Sequence, residues 1–224
     1  MRIANSTVAA LCLFCAFGAG AKADPAPDIG AAAGIILPSD GDDYSKLVAR
    51  AAAHDESVDF RALRFAYLQS AARKRDKDED ALRKALLASV NASAPPTDVR
   101  DEAIKLLSAD YADLHGHKFL RQACAFLHDD SCAAQEHFVE FGLLNSIMKS
   151  GDGKTCATGW EVARVKEEYF VTQMAGVTVT EQSLLRGSPS CDLLQGKDEN
   201  GNAAAYYFRI DAVLKDESAA LGLN

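Results

Sequence analysis

Apolar residues recur at intervals of three and four along most of the chain from Tyr44 to Lys149. This spacing places them on one face of successive helices. Asp59 stands before one such stretch as a potential N-cap, and Thr97 can cap the helix that follows the break at Pro95–Pro96. Because the connections between these stretches are short, we expect neighbouring helices to be antiparallel. Residues 43–149 are therefore predicted to form a helical region built of hairpins.

The pattern changes after Lys149, where Ser150–Gly153 has the composition of a turn. Short segments rich in β-branched and aromatic residues follow, as is typical of strands. These segments are Tyr169–Val171, Val177–Val179, Cys191–Leu194 and Ala205–Ile210. Asn200–Gly201 lies between the last two and predicts a hairpin, because both residues tolerate positive φ. The fold class predicted is α+β, with N-terminal antiparallel helical hairpins and a small C-terminal antiparallel β-sheet, in a β-rich region 150–224 packed on the helices.

The N-terminus has the features of a secretory signal peptide, residues 1–23. Arg2 supplies a positive charge, Val8–Phe17 is a short apolar run, and Ala21–Ala23 is a small-x-small cleavage motif. Cleavage after Ala23 by the Sec pathway would place the protein in the periplasm or outside the cell. A retained membrane anchor is the alternative, but the run is shorter than the span of a bilayer. Residues 24–42, rich in proline, glycine, alanine and aspartate, are predicted to form a flexible leader.

The charge balance argues against nucleic acid and anionic membranes as partners. The whole chain carries a net charge of −8. Cleavage would remove Arg2 and Lys22, which leaves 22 of the 24 basic residues against 32 acidic ones and a net charge of −10. The dense basic run, Arg73–Arg75, is followed at once by acidic residues and is interpreted as a solvated loop.

Four cysteines remain after cleavage, and an even number in an exported chain favours disulfides over free buried thiols. They are Cys124, Cys132, Cys156 and Cys191. Four cysteines allow three pairings, and their spacing alone does not choose among them. The absence of a Cys-x-x-Cys motif argues against a redox centre or a zinc ribbon.

Cys124 and Cys132 bracket a stretch that is suited to an interhelical turn, 128–131. Over residues 113–143 this hairpin resembles one unit of the cysteine-bearing Sel-one-like and tetratricopeptide-like repeats, in which a disulfide joins each helical pair. The resemblance implies a bridge between Cys124 and Cys132, and it leaves Cys156 and Cys191 to pair with each other. A helical protein of this kind exposes grooves that suit peptides.

The hairpin geometry places His117 on the face that meets the next helix, near Glu136 and Glu140. His115 is two positions away and points to the other side. Zinc requires three or four convergent ligands, and neither these histidines nor His137 has a recognised metal-binding spacing. The sequence therefore predicts no metal site and no cofactor.

Three stretches of the chain resemble the motifs of the bacterial domain of unknown function 4919. They are Asp59–Tyr67, Ile147–Thr155 and Glu167–Tyr169. His117 and His137 fall where that family often has histidines, and the resemblance covers most of residues 58–211. It implies a secreted or periplasmic bacterial protein without an established activity to carry over. The four mature cysteines depart from the family pattern and suggest a covalent link that is not general to it.

The same stretches permit a physical interpretation. Asp152 can hydrogen-bond its own loop, whose glycines allow a tight bend. Lys154 could pair with Glu167 or Glu168 and so hold the helical region to the first strand. In an extended segment the two glutamates would alternate, which would leave one of them solvated. This region is either a structural joint or a ligand-binding cleft, in which Asp152, Lys154 and Tyr169 are the binding candidates.

Two functions follow from these observations. The first is a non-enzymatic protein- or peptide-binding module of the periplasm, whose partner is an envelope protein or peptide. The alternative is a hydrolase or metal-dependent enzyme with its site between the helices and the sheet. Its catalytic candidates are His117, His137, Asp152 and Glu168, with a histidine as general base.

Overall fold

The computed structural model describes residues 34–75, 78–220 and Gly222. The predicted signal peptide, residues 1–23, lies outside the described residues, as does the predicted leader before Gly34. The described end of that leader lies against the helices, where Ile35 is buried and the amide of Ile36 donates to Ser108 Oγ at 3.0 Å.

Seven helices precede the first strand in the described part of the chain. They are α1 (Asp43–Ala52), α2 (Phe60–Tyr67), α3 (Ala71–Arg75), α4 (Glu79–Asn91), α5 (Pro96–Ala109), α6 (Leu114–Phe126) and α7 (Asp130–Met148). Aspartates cap four of them by accepting a backbone N–H, and Asp59 is one, as its position predicts. Helix α2 packs on α1 and α7, and α4 to α7 pack in sequence order. Leucines from several helices, such as Leu106, Leu120 and Leu143, form a fully buried core.

The C-terminal part contains a four-stranded sheet and two further helices. The strands are β1 (Trp160–Glu161), β2 (Thr178–Leu185), β3 (Cys191–Lys197) and β4 (Ala203–Arg209), with α8 (Val165–Met174) after β1 and α9 (Asp211–Ala220) after β4. The strand order is β1-β4-β3-β2. The turn at Asn200–Gly201 joins β3 to β4 as predicted, and Gly201 has φ +83°. The α+β prediction is confirmed.

The sheet is mixed, whereas the sequence predicts an antiparallel one. β3 pairs antiparallel with β2 and β4, but β1 pairs parallel with β4 through Trp160 and Glu161. The short β1 follows a loop that returns from α7 and meets β4 in this direction. Two residues are too few to produce an alternation that sequence analysis can detect.

The predicted strand at Tyr169–Val171 is wrong, because these residues lie in α8. Their aromatic and β-branched side chains favour a strand locally. In the fold they complete a helical face on which Glu167, Glu168 and Phe170 are buried, and this packing overrides local propensity. Both glutamates are therefore buried, and the expectation that one of them is solvated is also wrong.

The basic run Arg73–Arg75 is also not a loop, since it forms most of α3. Arg73 binds Asp216 of α9, and Arg75 binds Asp40 in the segment that precedes α1. These partners lie 143 and 35 residues away in sequence, so the run alone gives no sign of them.

Both predicted disulfides are present. Cys124–Cys132 joins the end of α6 to the start of α7, with Cα atoms 5.8 Å apart. Cys156–Cys191 joins the loop before β1 to the start of β3, with Cα atoms 5.6 Å apart. Such bridges persist in oxidising compartments. Within the described ranges, none of the helices combines the length and the apolar character needed to span a bilayer.

Candidate functional site

An open groove of about 590 Å³ lies where α7 passes the start of α2 and meets the sheet. Phe60 and Phe138 form its apolar part, with ring centroids 5.5 Å apart, and Phe141 beside them is 58% exposed. This volume lies within the range of small-molecule and peptide sites.

Gly142 sets the shape of the groove. A Cβ atom at this position would come within 2.2 Å of the Phe60 ring. Any larger residue would therefore displace the Phe60 ring from its position against α7. The glycine leaves the space in which this ring packs on the α7 backbone.

Charged side chains surround the end of the groove next to the sheet. Arg61 binds Glu161 through two nitrogens, at 2.7 and 2.8 Å, and this guanidinium lowers the pKa of the Glu161 carboxyl. Arg209 donates to the carbonyl oxygens of Ser150, at 2.8 Å, and Gly159, at 2.9 Å. The side chain of Lys149 is exposed and makes no hydrogen bond or ion pair within the described part of the chain.

A buried ion pair lies beneath this end. The side chains of Arg64 and Glu167 are 1% and 2% exposed, and Arg64 Nη2 lies 3.0 Å from Glu167 Oε2. Arg64 also donates to Ser146 Oγ, at 3.0 Å, and to the carbonyl oxygen of Glu161, at 2.9 Å. Burial raises the pKa of Glu167, but the charges of Arg64 and Arg164 outweigh it and lower the pKa below its ordinary value. The pair thus links α2, α7, β1 and α8.

Glu168 is a buried carboxyl that forms no ion pair with another described residue. It is fully buried, and neither of its oxygens has a hydrogen-bond partner among the described residues. Burial, together with the negative charges of Asp192 and Glu167, raises its pKa to about 9. Glu168 is therefore protonated at neutral pH, and such strongly shifted groups are enriched at functional sites.

A chain of polar side chains connects Tyr169 at the surface to this carboxyl. The hydroxyl of Tyr169 donates to Gln182 Oε1 at 2.7 Å, and Gln182 Nε2 donates to Asp192 Oδ2 at 2.6 Å. Asp192 in turn lies beside Glu168. Two of the sequence candidates, Glu168 and Tyr169, thus belong to one polar cluster between α8, β2 and β3.

A second polar centre surrounds Lys166 of α8. Its ammonium group binds Glu79, Asp110 at 2.7 Å and Asp113 at 2.9 Å. The three carboxylates lie within 4.8 Å of one another, a spacing that suits a metal ion. Lys166 supplies the positive charge at their centre. Burial raises the pKa of Glu79, but Lys166 and Arg164 outweigh it and lower the pKa to about 2.

Asp152 organises the loop that leads from α7 to β1. Its Oδ1 accepts from Thr158 Oγ1, at 2.6 Å, and from the amide of Lys154, at 3.0 Å. Gly153, with φ +68°, accepts the amide of Tyr207 and thereby ties the loop to β4. Arg64, and not Lys154, is the partner of Glu167. Asp152 and Lys154 are exposed, and no hydrogen bond or ion pair among the described residues joins either side chain to the Glu168 cluster.

His117 lies within the helical region, fully buried between α6 and α7. Its Nδ1 lies 2.5 Å from Glu136 Oε2, and its Nε2 lies 2.7 Å from the carbonyl oxygen of Tyr111. Burial lowers the pKa of His117, but the Glu136 carboxylate outweighs it and raises the pKa above its ordinary value. With both nitrogens engaged, the imidazolium holds the hairpin together. His137 is exposed on α7 near Phe141, with ring centroids 6.0 Å apart.

The structure therefore does not bring the four catalytic candidates to one place. His117 is in the core of the hairpin, His137 and Asp152 are at the surface, and Glu168 is buried under the sheet. Sequence reasoning missed Arg64 and the aromatic groove. Arg64 lies within the Asp59–Tyr67 motif, and an arginine on the apolar face of a predicted helix is the signal that could have identified it.

Comparison with protein families gives one match, to the family described as Domain of unknown function (DUF4919), over residues 39–219. The resemblance of residues 113–143 to Sel-one-like and tetratricopeptide-like repeats is not confirmed. No curated protein and no solved structure matches the chain. Because the matched residues make up well over half of the sequence, the chain belongs to the DUF4919 family.

Proposed function

We propose that this protein is a non-enzymatic peptide-binding module of the bacterial cell envelope, and that the groove between α2, α7 and the sheet is its binding site. The observation that carries the proposal is the combination, in one cleft, of one exposed and two partly buried aromatic side chains with free polar groups. Phe141 is largely exposed at its rim. Asn145 and Lys149 follow along the same face of α7, and neither side chain is bonded to another described residue.

Such a surface suits an extended peptide. Peptides bind through apolar side chains in pockets and through hydrogen bonds from their backbone amides and carbonyls. The apolar contacts would come from three aromatic side chains, Phe60, Phe138 and Phe141. The side-chain amide of Asn145 offers both a donor and an acceptor for hydrogen bonds to the peptide backbone. Gly142 and the buried Arg64–Glu167 pair fix the walls, so the groove is formed before a ligand arrives.

Export to the envelope is supported by the two disulfides and by the sequence of residues 1–23. An oxidising compartment keeps such bridges intact. Mass spectrometry of the protein recovered from its native host would test this step. We expect an N-terminus at Asp24 and four cysteines in disulfides, and four free thiols would contradict it.

The binding proposal is tested by incubating the oxidised protein with a pool of random hexapeptides and identifying the retained peptides by mass spectrometry. We expect enrichment of peptides that contain phenylalanine, leucine or other large apolar residues. A single enriched peptide is then resynthesised, and its dissociation constant is measured by calorimetry.

Two exposed phenylalanines provide a matched pair of variants. Phe141→Ser removes the aromatic rim of the groove and should weaken binding about tenfold or more. Phe126→Ser removes a ring that is 74% exposed at the end of α6, outside the groove, and should leave binding unchanged. A pool without enrichment, or an equal effect of both variants, would reject the groove as the site.

A second candidate function, a hydrolase or metal-dependent enzyme, is favoured by one observation, the protonated and unpartnered Glu168. A carboxyl group with a pKa of about 9 can serve as a general acid at neutral pH. A hydrolase screen with the wild type and Glu168→Gln, together with elemental analysis, tests this alternative. Activity that disappears in Glu168→Gln would establish it in place of the binding function.

A further inference from the structure

The charges that line the groove are not evenly distributed along it. Six ionisable side chains face it, three acidic and three basic: Glu56, Asp59, Arg61, Lys149, Glu161 and Arg209. Arg61 and Glu161 neutralise each other in a two-nitrogen ion pair. The other four are divided between the two ends, and this division carries information about the ligand.

The end next to the sheet is positive. Lys149, at the end of α7, is exposed and has no partner in the described residues. Arg209 is held by the carbonyl oxygens of Ser150 and Gly159, which fix its guanidinium but do not neutralise its charge. Two cations at the end of a cleft, one of them preorganised, are suited to a carboxylate.

The opposite end is negative. Glu56 is exposed in the connection between α1 and α2 and makes no hydrogen bond or ion pair with another described residue. Asp59 caps α2 by accepting the amide of Ala62, at 2.9 Å, and keeps its charge in doing so. Phe138, which packs edge to face on Phe60, marks this end of the groove on α7. An ammonium group is the complementary ligand.

The separation of the two ends corresponds to a short peptide. Phe138 and Lys149 are eleven positions apart on α7, which is about 16 Å at 1.5 Å per residue. An extended chain rises about 3.3 Å per residue, so about five residues span this length. The aromatic side chains of Phe60 and Phe141 lie between the ends, where the middle residues of such a peptide would pack.

We infer that the groove recognises short peptides with both ends free, binding the α-amine at Glu56 and Asp59 and the α-carboxylate at Lys149 and Arg209. This inference rests on the proposed function and adds to it the ligand class and its direction. It distinguishes free oligopeptides, such as products of proteolysis, from internal segments of a folded partner, which have no free ends to offer.

The test uses one pentapeptide with glycine at both ends and phenylalanine or leucine at the three central positions, prepared in four forms. The forms are free, N-acetylated, C-amidated and blocked at both ends. Calorimetric titration of the oxidised protein is carried out at low ionic strength, because salt screens exposed charges. Each block should weaken binding about two- to fivefold, as expected for the loss of one solvent-accessible ion pair.

Variants of the protein test which residues bind each end of the peptide. In Lys149→Ala, amidation should weaken binding less than it does in the wild type, because only Arg209 remains to bind the carboxylate, while acetylation should keep its full effect. In Glu56→Gln, the opposite pattern is expected. Lys84→Ala and Glu199→Gln serve as matched controls, because both side chains are exposed, unpaired among the described residues and outside the groove. Neither control should change the effect of blocking.

Three results would overturn the inference, and they differ from one another. Equal affinity for the free and the doubly blocked peptide would show that the groove takes internal segments, and the proposed function would stand. Tighter binding of the doubly blocked peptide than of the free one would show that the groove repels the free ends, as it would if the peptide lay in the opposite direction. Absence of binding for every form, and for every peptide of the random pool, would reject the proposed function itself.

Discussion

The α6–α7 hairpin and the joint around α8 are both buried, but they are stabilised differently. The hairpin packs mainly apolar side chains, with the Cys124–Cys132 disulfide at its turn and one fully buried ion pair, His117–Glu136. At the joint, Arg164 and the α8 residues Lys166, Glu167 and Glu168 all lie in the interior or at its edge.

The two regions differ in how precisely their contacts fix the positions of their helices and strands. Apolar packing tolerates small shifts, because it depends on area removed from water and has little directional character. A buried ion pair requires its partner in place, because an uncompensated charge in the interior is costly. The joint thus fixes the position of the sheet relative to the helices, and with it the walls of the groove.

The largest predicted effect concerns Arg64. Arg64→Met keeps the volume of the side chain but leaves Glu167 without its principal counterion. We expect the free energy of unfolding to fall by about 3–5 kcal/mol, as is typical when one partner of a buried pair is removed. Urea denaturation at pH 7, with the disulfides intact, measures this change.

Arg61→Met is the matched control, since Arg61 lies one turn earlier on the same helix and pairs with Glu161 at the surface. The side chain of Arg61 is 54% exposed, so its loss should cost about 0–1 kcal/mol. The double variant Arg64→Met, Glu167→Leu should regain much of the lost stability. Similar losses for the two single variants would contradict the distinction between buried and exposed pairs.

The second largest predicted effect is the loss of stability on removal of a disulfide, which should differ between the two bridges. Cys124–Cys132 spans 8 positions and Cys156–Cys191 spans 35. Because a longer closed loop restricts the unfolded chain more, we expect replacement of each pair by serine to cost about 2.5 and about 4 kcal/mol, respectively. Urea denaturation of the two double variants tests the order. A greater loss at the hairpin would show that native-state packing around the bridge outweighs loop entropy.

The two regions also differ in how far the sequence predicts them. The hairpin can be predicted from the sequence because its helices, its turn and its disulfide depend on local spacing, and because His117 contacts Glu136 across one short connection. The contacts of the joint cannot be predicted in this way, because Arg64 and Glu167 are 103 positions apart in sequence and Lys166 and Glu79 are 87 positions apart. Tyr169–Val171 is misassigned as a strand for the same reason, since only the tertiary partners of α8 make it a helix.

The residues of the candidate site also differ in how far the sequence predicts their role. Local motifs single out the Asp152 loop and Glu168 as candidates, but neither Asp152 nor Glu168 lines the groove. The groove itself was not foreseen, since Phe60, Phe141 and Arg209 come from three distant segments and none is unusual in its own context. The groove lies at the joint for which the sequence predicts either a structural role or a ligand-binding cleft, but the binding candidates Asp152, Lys154 and Tyr169 do not line it.

A third and smaller effect is a pH dependence of the free energy of unfolding, which arises from Glu168 in the joint. The pKa of Glu168 is about 9 in the fold, against 4.5 for an unperturbed glutamate. Between these values the folded chain holds a proton that the unfolded chain has released. The free energy of unfolding therefore falls as the pH rises, by at most about 1.4 kcal/mol per pH unit from this group.

Glu168→Gln removes this dependence while keeping the shape of the side chain. Relative to the wild type, the variant should gain stability steadily between pH 5 and pH 8.5, as measured by urea denaturation at several pH values. Glu199→Gln, a change at an exposed glutamate of the turn between β3 and β4, is the control and should follow the wild type closely. A constant difference between Glu168→Gln and the wild type would show that Glu168 is ionised in the folded protein.

The smallest effect separates two neighbours in the loop that leads into the sheet. Asp152 accepts the amide of Lys154, whereas the Lys154 side chain makes no hydrogen bond or ion pair with another described residue. Asp152→Ala should therefore speed amide hydrogen exchange at Lys154 and at Tyr207, whose amide binds the carbonyl of Gly153 in the same loop. Lys154→Ala should leave the exchange at Tyr207 as it is. Faster exchange at Tyr207 in Lys154→Ala would instead show that the lysine side chain holds the loop to the sheet, the role that the sequence suggests for it.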